Sequence, residues 1–298
     1  MQKAKMKVSV IIPTRNSWET LRECLKSLLS QSFSLYEILI IDNASTDETF
    51  NNVTAFAKKI KSDSKIEIFR NSKNLGVTGG RNRGIKEAGN DYDFLLFFDH
   101  DMVADKDMVK ELITVSERSK DIGIVTPKIY YFGQKDQIWA AGTGINLWTG
   151  QILFRGGKDT RQFEDIEEVQ VAPASFLVKS EVLQEIKGFD DVYFATYEDT
   201  DFCFRARENG FSTYYIPKAI AYHKIPYDES DSMKRLLTRT YFIGRNRVIF
   251  MKRFGKNIFV FLACTPAFLV YYSYLSLKYN KVKSIFDFVK GTIDGFLI

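Results

Sequence analysis

The sequence is poor in the residues that staple or metallate small proteins. Its three cysteines, Cys24, Cys203 and Cys264, lie far apart. This excludes a disulfide-stapled scaffold and any CxxC zinc or redox site. Two histidines, His100 and His223, are too few for a multi-histidine metal centre. No repeat or low-complexity segment interrupts the chain. From Ser232 to Phe286 there is no Asp or Glu. Near the N-terminus, Lys3, Lys5 and Lys7 precede the apolar run Val8–Ile12, which stops at Pro13. That run is shorter than the 7–15 residues or so of a signal-peptide core, so the body is expected to stay in the cytoplasm.

What remains is a globular composition: 298 residues, 45% hydrophobic and 14% aromatic. Such a chain can bury one large core or two smaller ones. The net charge of +5 hides an asymmetry. The acid-free stretch carries eleven basic residues, so the rest of the chain carries 5 − 11 = −6. A basic end on an acidic body points to an anionic partner there, a membrane surface or nucleic acid.

The first hundred residues alternate short β-branched or apolar runs with helical spacing. Val8–Ile12, Glu37–Ile41, Ile66–Phe69 and Asp93–Phe98 read as strands. Trp18, Leu21, Leu25, Leu28 and Leu29 read as one helix face, and 47–60 and 78–88 as further helices. This pattern implies an α/β fold with βαβ crossovers and a mainly parallel sheet. After residue 120, segments 122–132, 138–147 and 169–178 read as strands with Gly-rich turns. Ser180 is expected to cap a short helix to Ile186, and another runs from Thr200 to Glu208. Short strands follow at Tyr214–Ile216 and Ile220–Tyr222. The whole is expected to be one domain over residues 1–231, followed by a basic, apolar helical tail over 232–298.

Ligands bind such sheets at the carboxyl ends of the strands. Four polar clusters fall there: Pro13-Thr14-Arg15-Asn16, Asp42-Asn43-Ala44-Ser45, Asn71 to Gly76, and Asp99-His100-Asp101. Asp99 and Asp101, at i and i+2 after a very apolar strand, can reach one divalent cation. Mg²⁺ and Mn²⁺ favour such hard oxygens, completed by phosphates and water. The chemistry that needs this arrangement is departure of a diphosphate. His100, between them, is expected to point elsewhere.

The segment Asn74 to Gly84 holds glycines with Arg81 and Arg83, but no Gly-Lys-Ser/Thr and no GxGxxG. A P-loop and a dinucleotide fold are therefore not supported, although an anion near a helix start is. Tyr197-Glu198-Asp199-Thr200-Asp201 opens a helix with three carboxylates in four positions, more than a cap requires. Glu198 and Asp199 are candidates for a general base acting on a hydroxyl. His223 follows a strand and is a candidate third metal ligand. Finally, residues 258–277 form twenty residues without a charge, flanked by Lys252, Arg253, Lys256, Lys278, Lys281 and Lys283. A spanning helix, an in-plane helix and a buried core helix are all compatible with that run. Nucleic acid would leave it without use.

Taken in order, Val8 to Asn16, Ile41 to Asp47, Asn74-Leu75-Gly76, Asp99-His100-Asp101 and Glu198 to Asp201 resemble a family 2 glycosyltransferase of the GT-A fold. The resemblance covers roughly residues 6 to 250. It implies inverting transfer of a sugar from a nucleoside-diphosphate sugar, with Mg²⁺ or Mn²⁺, to a glycan or lipid-linked acceptor. By the same resemblance, Pro13, Thr14, Arg15, Asn16, Asp42 and Asn43 hold the nucleoside. Asn74, Gly76, Gly80, Arg81 and Asn82 line the donor pocket, and Asp99 faces the ribose or a metal-bound water. Asp101 binds the metal, with His223 reaching it, although Lys224-Ile225-Pro226 departs from what often follows that histidine. Asp199 matches the catalytic base, and Glu198 contacts the acceptor. The Asp42-Asn43 form is similar to rhamnosyl- or galactofuranosyl-transferring members. The expected place is the cytoplasmic face of the cell membrane, peripheral or single-pass. Rivals are a nucleotidyltransferase, which would want a glycine-rich loop after the first strand, and a non-catalytic membrane scaffold.

Overall fold

The computed structural model describes residues 6–298, so Lys3 and Lys5, weighed above as part of a leader, lie outside the described residues. The chain begins β1 (Val8–Thr14), α1 (Trp18–Leu29), β2 (Glu37–Asp42), α2 (Thr49–Lys59), β3 (Lys65–Arg70), α3 (Gly76–Ala88) and β4 (Phe94–Phe98). It continues β5 (Met102–Ala104), α4 (Met108–Ser116), β6 (Ile122–Tyr131), β7 (Gln137–Ala141), β8 (Thr143–Asn146), β9 (Gln151–Phe154) and β10 (Gly157–Lys158). Then come β11 (Glu167–Val169), β12 (Ser175–Lys179), α5 (Ser180–Ile186), α6 (Glu198–Glu208) and β13 (Ser212–His223). Helices α7 (Glu229–Leu237), α8 (Thr240–Phe254), α9 (Ile258–Lys278) and α10 (Lys283–Leu297) close it.

Eleven strands share one mixed sheet, with the path β10-β7-β6-β12-β4-β1-β2-β3. Strands β4, β1, β2 and β3 are mutually parallel, as βαβ crossovers require. Antiparallel β12 joins β4 to the second half, where β13 runs parallel to β6. Both faces are covered. Phe94, Leu96 and Phe98 of β4 enter the core on one face, while Leu95 and Phe97 enter the core on the other. That period of two, with no polar position, is why β4 reads as an unbroken apolar run.

Several boundaries differ from the sequence reading for local reasons. The 138–147 run divides at Gly142, whose φ of +68° turns the chain between β7 and β8. The 169–178 run divides at Pro173 and Ala174, the latter at φ +59°. The two short strands after residue 213 form one strand, β13, with a register irregularity between Ile216 and Ile220. Pro217 lies in that irregularity, where a missing N–H costs no ladder bond. Lys179 rather than Ser180 is the N-cap of α5. Helix α3 starts at Gly76, two residues before the expected 78, so Gly76 too lies within it. The helix's glycines serve close packing: a Cβ on Gly84 would stand 2.3 Å from Ile11 Cγ2, and one on Gly80 2.9 Å from Pro13 Cβ. The helix thereby lies directly against the strand ends.

The boundary drawn at 231/232 falls inside α7. Helices α8 and α10 meet through glycines at very short range. A Cβ on Gly291 would stand 2.0 Å from Tyr241 O, and one on Gly295 2.5 Å from Arg245 O. Helix α9 is long and apolar enough to cross a membrane by length and composition alone.

Candidate active site

The two halves of the sheet meet at the carboxyl end of β4. Immediately after Asp101, β5 pairs antiparallel with the end of β13, setting His223 opposite Met102. Lys224 N donates to Asp101 O at 2.8 Å. This pairing holds His223 Nε2 3.2 Å from Asp101 Oδ1. Arg235, on α7, reaches Asp101 Oδ2 at 3.3 Å. Burial opposes the Asp101 charge. The His223 hydrogen bond and the charges of His223, His100 and Arg235 outweigh it and hold this carboxyl well below the usual range. His100 turns the other way, with Nδ1 3.3 Å from Pro13 O.

The second acidic pair is held differently. Before α6, Thr196 and Tyr197 both take φ +65°, a conformation uncommon for residues with side chains. Asn246, fully buried on α8, donates its Nδ2 to Ala195 O at 2.7 Å and Thr196 O at 2.9 Å. Tyr197 Oη donates to Gly150 O at 2.6 Å. The turn so braced delivers Glu198 and Asp199 to the site. Burial pushes the Glu198 carboxyl up, with help from the Asp199 charge and against Arg81, to about 7. Burial likewise raises Asp199, against the pull of Arg81 and the bond it accepts from Thr200 N at 2.7 Å.

Arg81 joins the two pairs. Only 1% exposed, it donates from one Nη to Asp99 Oδ1 at 3.0 Å and sets the other 3.7 Å from Glu198 Oε1. Its guanidinium lies 5.3 Å from the Phe189 ring centre and 5.6 Å from that of Phe176. Burial acts against its charge, but Asp99, Glu198 and Asp199 more than compensate and raise its pKa further. It is thus a fixed cation between the two acidic clusters rather than a solvated side chain.

On the β1 and β2 side, the polar residues bind one another. Asn16 receives Thr46 N at 2.8 Å and gives its own N–H to Ser45 Oγ at 2.9 Å. Asn43 donates to Gly76 O at 2.8 Å and accepts from Asn71 at 2.7 Å. Asn74 accepts from Gly76 N at 3.0 Å. Gly76, at φ +72°, leaves room for Phe194 O, which a Cβ would approach to 2.1 Å. Asp42 is wholly buried: Oδ2 accepts from Ser45 N at 3.1 Å and faces Arg70 at 3.3 Å. Its Oδ1, and Thr14 Oγ1, are buried without a protein partner. Arg15 is exposed beside them. Asn82 turns outward, donating to Phe189 O at 2.9 Å and Asp191 at 2.8 Å, and so braces the loop before α6.

The donor set fits a hard divalent cation at Asp101 and His223. It brings a carboxylate oxygen and the imidazole Nε2 within 3.2 Å of each other, so that both can face one ion. Among the described residues no three His, Cys, Asp or Glu side chains form such a group. Asp99 turns to Arg81 instead. The remaining ligands would come from phosphate and water, as Mg²⁺ commonly accepts.

Sequence reasoning missed three residues here. Arg235 and Arg239 were counted with the tail. Arg235 sits on Asp101, and Arg239, solvent-exposed close to Arg235, faces the charges of Glu198, Asp99 and Asp101. Asn246 was not singled out. Its one signal is a polar Arg-Asn-Arg run inside an apolar helix, Thr240–Phe254.

Comparison with known proteins agrees with this architecture. An uncharacterized glycosyltransferase YfnE of Bacillus subtilis is 32% identical over 179 residues, 59% of this chain and 43% of the relative. The dolichol-phosphate mannosyltransferase of Pyrococcus furiosus is 28% identical over 197 residues, 61% of this chain and 53% of the relative. The chain thus spans about half the length of these curated relatives. Among solved structures, mannosyltransferase PcManGT from Pyrobaculum calidifontis, in complex with GDP-Man and Mn²⁺, superposes with a TM-score of 0.63 at 15% identity. That match covers 99% of this chain and 88% of the other, and establishes the GT-A fold. The family model described as Glycosyl transferase family 2 matches residues 9–187, more than half of the sequence; the chain belongs to glycosyl transferase family 2.

Proposed function

We propose that this protein transfers a sugar, with inversion, from a nucleoside-diphosphate sugar to a hydroxyl acceptor. The observation that carries the reading is Arg81. One buried cation ties Asp99, beside a cation-ready Asp101–His223 pair, to Glu198, beside a carboxylate of raised pKa. A leaving-group half and a proton-accepting half are thereby within one site.

The division of labour follows from the environments. Asp42 Oδ1 and Thr14 Oγ1 are free acceptors for a nucleobase or ribose, with Pro13, Arg15, Asn16 and Asn43 around them. Asn74, Gly76 and Gly80 wall the donor pocket, with Arg81 and Asn82 behind them. Asp101 and His223, with Asp99 nearby, would hold Mg²⁺ or Mn²⁺, which when bound neutralises charge on the departing diphosphate. Arg235 and Arg239 add fixed positive charge on the same side. Asp199 takes the proton of the acceptor hydroxyl as its oxygen attacks the anomeric carbon from the face opposite the diphosphate. Glu198 contacts the acceptor. No protein nucleophile is needed. The relative that binds GDP-Man and Mn²⁺ supports the donor class and the metal. The Asp42-Asn43 pair favours a rhamnosyl- or galactofuranosyl-like donor. Residues 1–231 form the catalytic unit, to which the tail from 232 adds Arg235, Arg239 and Asn246. The acceptor is a glycan or lipid-linked saccharide at the cytoplasmic face of a membrane, which the apolar, basic tail approaches.

A donor panel tests this. UDP-, dTDP- and GDP-sugars are supplied with Mn²⁺ or Mg²⁺ and a saccharide acceptor mixture, and nucleoside diphosphate release is followed. Release from one donor, metal-dependent and absent in Asp101→Ala, is the expected result. Failure of every nucleotide to bind by calorimetry would overturn the reading.

A further inference from the structure

Helices α9 and α10 each leave one apolar stripe without a partner. On α9 the stripe runs Phe259, Leu262, Pro266, Val270, Tyr274 and Leu277, at helical spacing of three and four. Phe259 is 77% exposed and Val270 69%. Along α10 it runs from the N-cap Val282 through Phe286, Val289, Ile293 and Leu297, with Phe286 70% exposed. Only 17% of the apolar window of α9 is buried, so it is not a core helix. Stripes of this size on a soluble surface mark a contact with another body.

The opposite side of each helix is committed to the protein. Tyr272 stacks on Phe288 with ring centres 4.6 Å apart, and Ser276 Oγ meets Ser284 Oγ at 2.6 Å. Arg247 of α8 places its guanidinium 3.5 Å from the Phe268 ring centre and 4.7 Å from that of Phe261, while donating to Thr149 O at 2.8 Å. Asp294 of α10 accepts from Tyr241 Oη at 2.8 Å. A spanning α9 would either break these contacts or carry Arg247, Asp287 and Asp294 into hydrocarbon, where charged side chains are costly.

Charge identifies what covers the stripes. Residues 252–298 hold seven basic and two acidic side chains. Lys252, Lys256, Lys278, Lys281, Lys283 and Lys290 are exposed near the ends of α8, α9 and α10 and along α10. A second copy of this chain, docked by the same face, would bring two such basic rims together, because a two-fold interface is self-complementary. Anionic lipid headgroups around a hydrocarbon interior match both features.

We infer that α9 and α10 dock the protein in the plane of one leaflet of an anionic bilayer, apolar stripes inserted and lysines on the headgroups. The inference rests on the membrane association proposed above and names its mode; it is independent of the transfer chemistry. The full chain is floated with vesicles of phosphatidylcholine, with or without about a third of phosphatidylserine. Binding is expected to be at least tenfold stronger with phosphatidylserine and to weaken with salt. Phe259→Asp and Phe286→Asp, both at exposed positions, should each abolish it while leaving the circular dichroism and detergent-phase donor turnover unchanged. Single cysteines at 259, 270, 277 and 286, in a Cys264→Ser background and carrying an environment-sensitive dye, report depth. Equal, shallow depths reachable from one side support the in-plane mode. A deep 270 with 259 and 277 reached from opposite sides overturns it, while leaving membrane association intact. Equal binding to neutral vesicles overturns the lipid class. Absence of vesicle binding, with dimers in sedimentation that Phe259→Asp dissolves, replaces the bilayer by a second copy.

Discussion

Asp101 and the Glu198–Asp199 pair, carboxylates of one site, meet opposite fates. Asp101 is held ionised by His223 and Arg235, which overcome its burial. Glu198 is buried and Asp199 partly so, with Arg81 the cation that faces both; desolvation wins, lifting Glu198 to about 7 and raising Asp199. Side chains of one chemistry are thereby sorted into a permanent anion and a proton acceptor. The number of positive neighbours decides which is which.

The largest expected effect comes from removing the acceptor half alone. Asp199→Asn should lower transfer by about 10²–10⁴, the usual range for a lost general base. Nucleotide affinity by calorimetry should be unchanged. Near wild-type turnover would remove Asp199 from the base role. The second effect is on stability. Arg81→Met strands Asp99 and Glu198 without their cation and should cost about 3–5 kcal/mol in denaturant unfolding, as for a broken buried pair. A cost near zero would mean that the two pairs are not joined through this residue.

A third, smaller effect concerns the turn that aims the pair. Asn246→Leu leaves the carbonyls of Ala195 and Thr196 without a donor, a loss of about 1–3 kcal/mol. It should reduce kcat while leaving donor binding intact, because Asn246 acts through the turn rather than on substrate. The smallest is a shift in pH dependence. The base must be deprotonated to act, so transfer falls as pH drops through the raised pKa of the pair. Since Glu198 lies at about 7, the acid limb should sit well above the ordinary carboxylate range. Glu198→Gln removes one of two neighbouring charges and should move the limb to lower pH. An unmoved limb would mean that the two carboxylates titrate independently.

Much of the fold was legible because the N-terminal half follows simple periodicities. FLLFF has no polar position, so β4 reads as a strand buried on both faces. The helical spacing of Leu21, Leu25 and Leu28 reads directly as the buried face of α1. The second half was less legible where backbone geometry overrides local pattern. Gly142 and Ala174 break apolar runs by left-handed conformations that hydrophobicity does not encode. The helix read at 78–88 opens two residues earlier, at Gly76, and what the sequence did not show is that Gly80 and Gly84 serve close approach to Pro13 and Ile11.

Within the site, the sequence named acidic residues after a strand and at a helix start, with His223 as a candidate ligand, but not their arginine partners. By itself it determined the alternating strands and helices, the acidic triplets, the basic tail and the family resemblance, because these depend on local order along the chain. Only the tertiary structure decided that β13 lays His223 against Asp101, that α7 brings Arg235 to the same carboxylate, and that Arg81 lies between Asp99 and Glu198. Those partners are separated by 18 to 134 residues. Contacts at such separations depend on how the sheet closes, and the charge state of each carboxylate depends on those contacts.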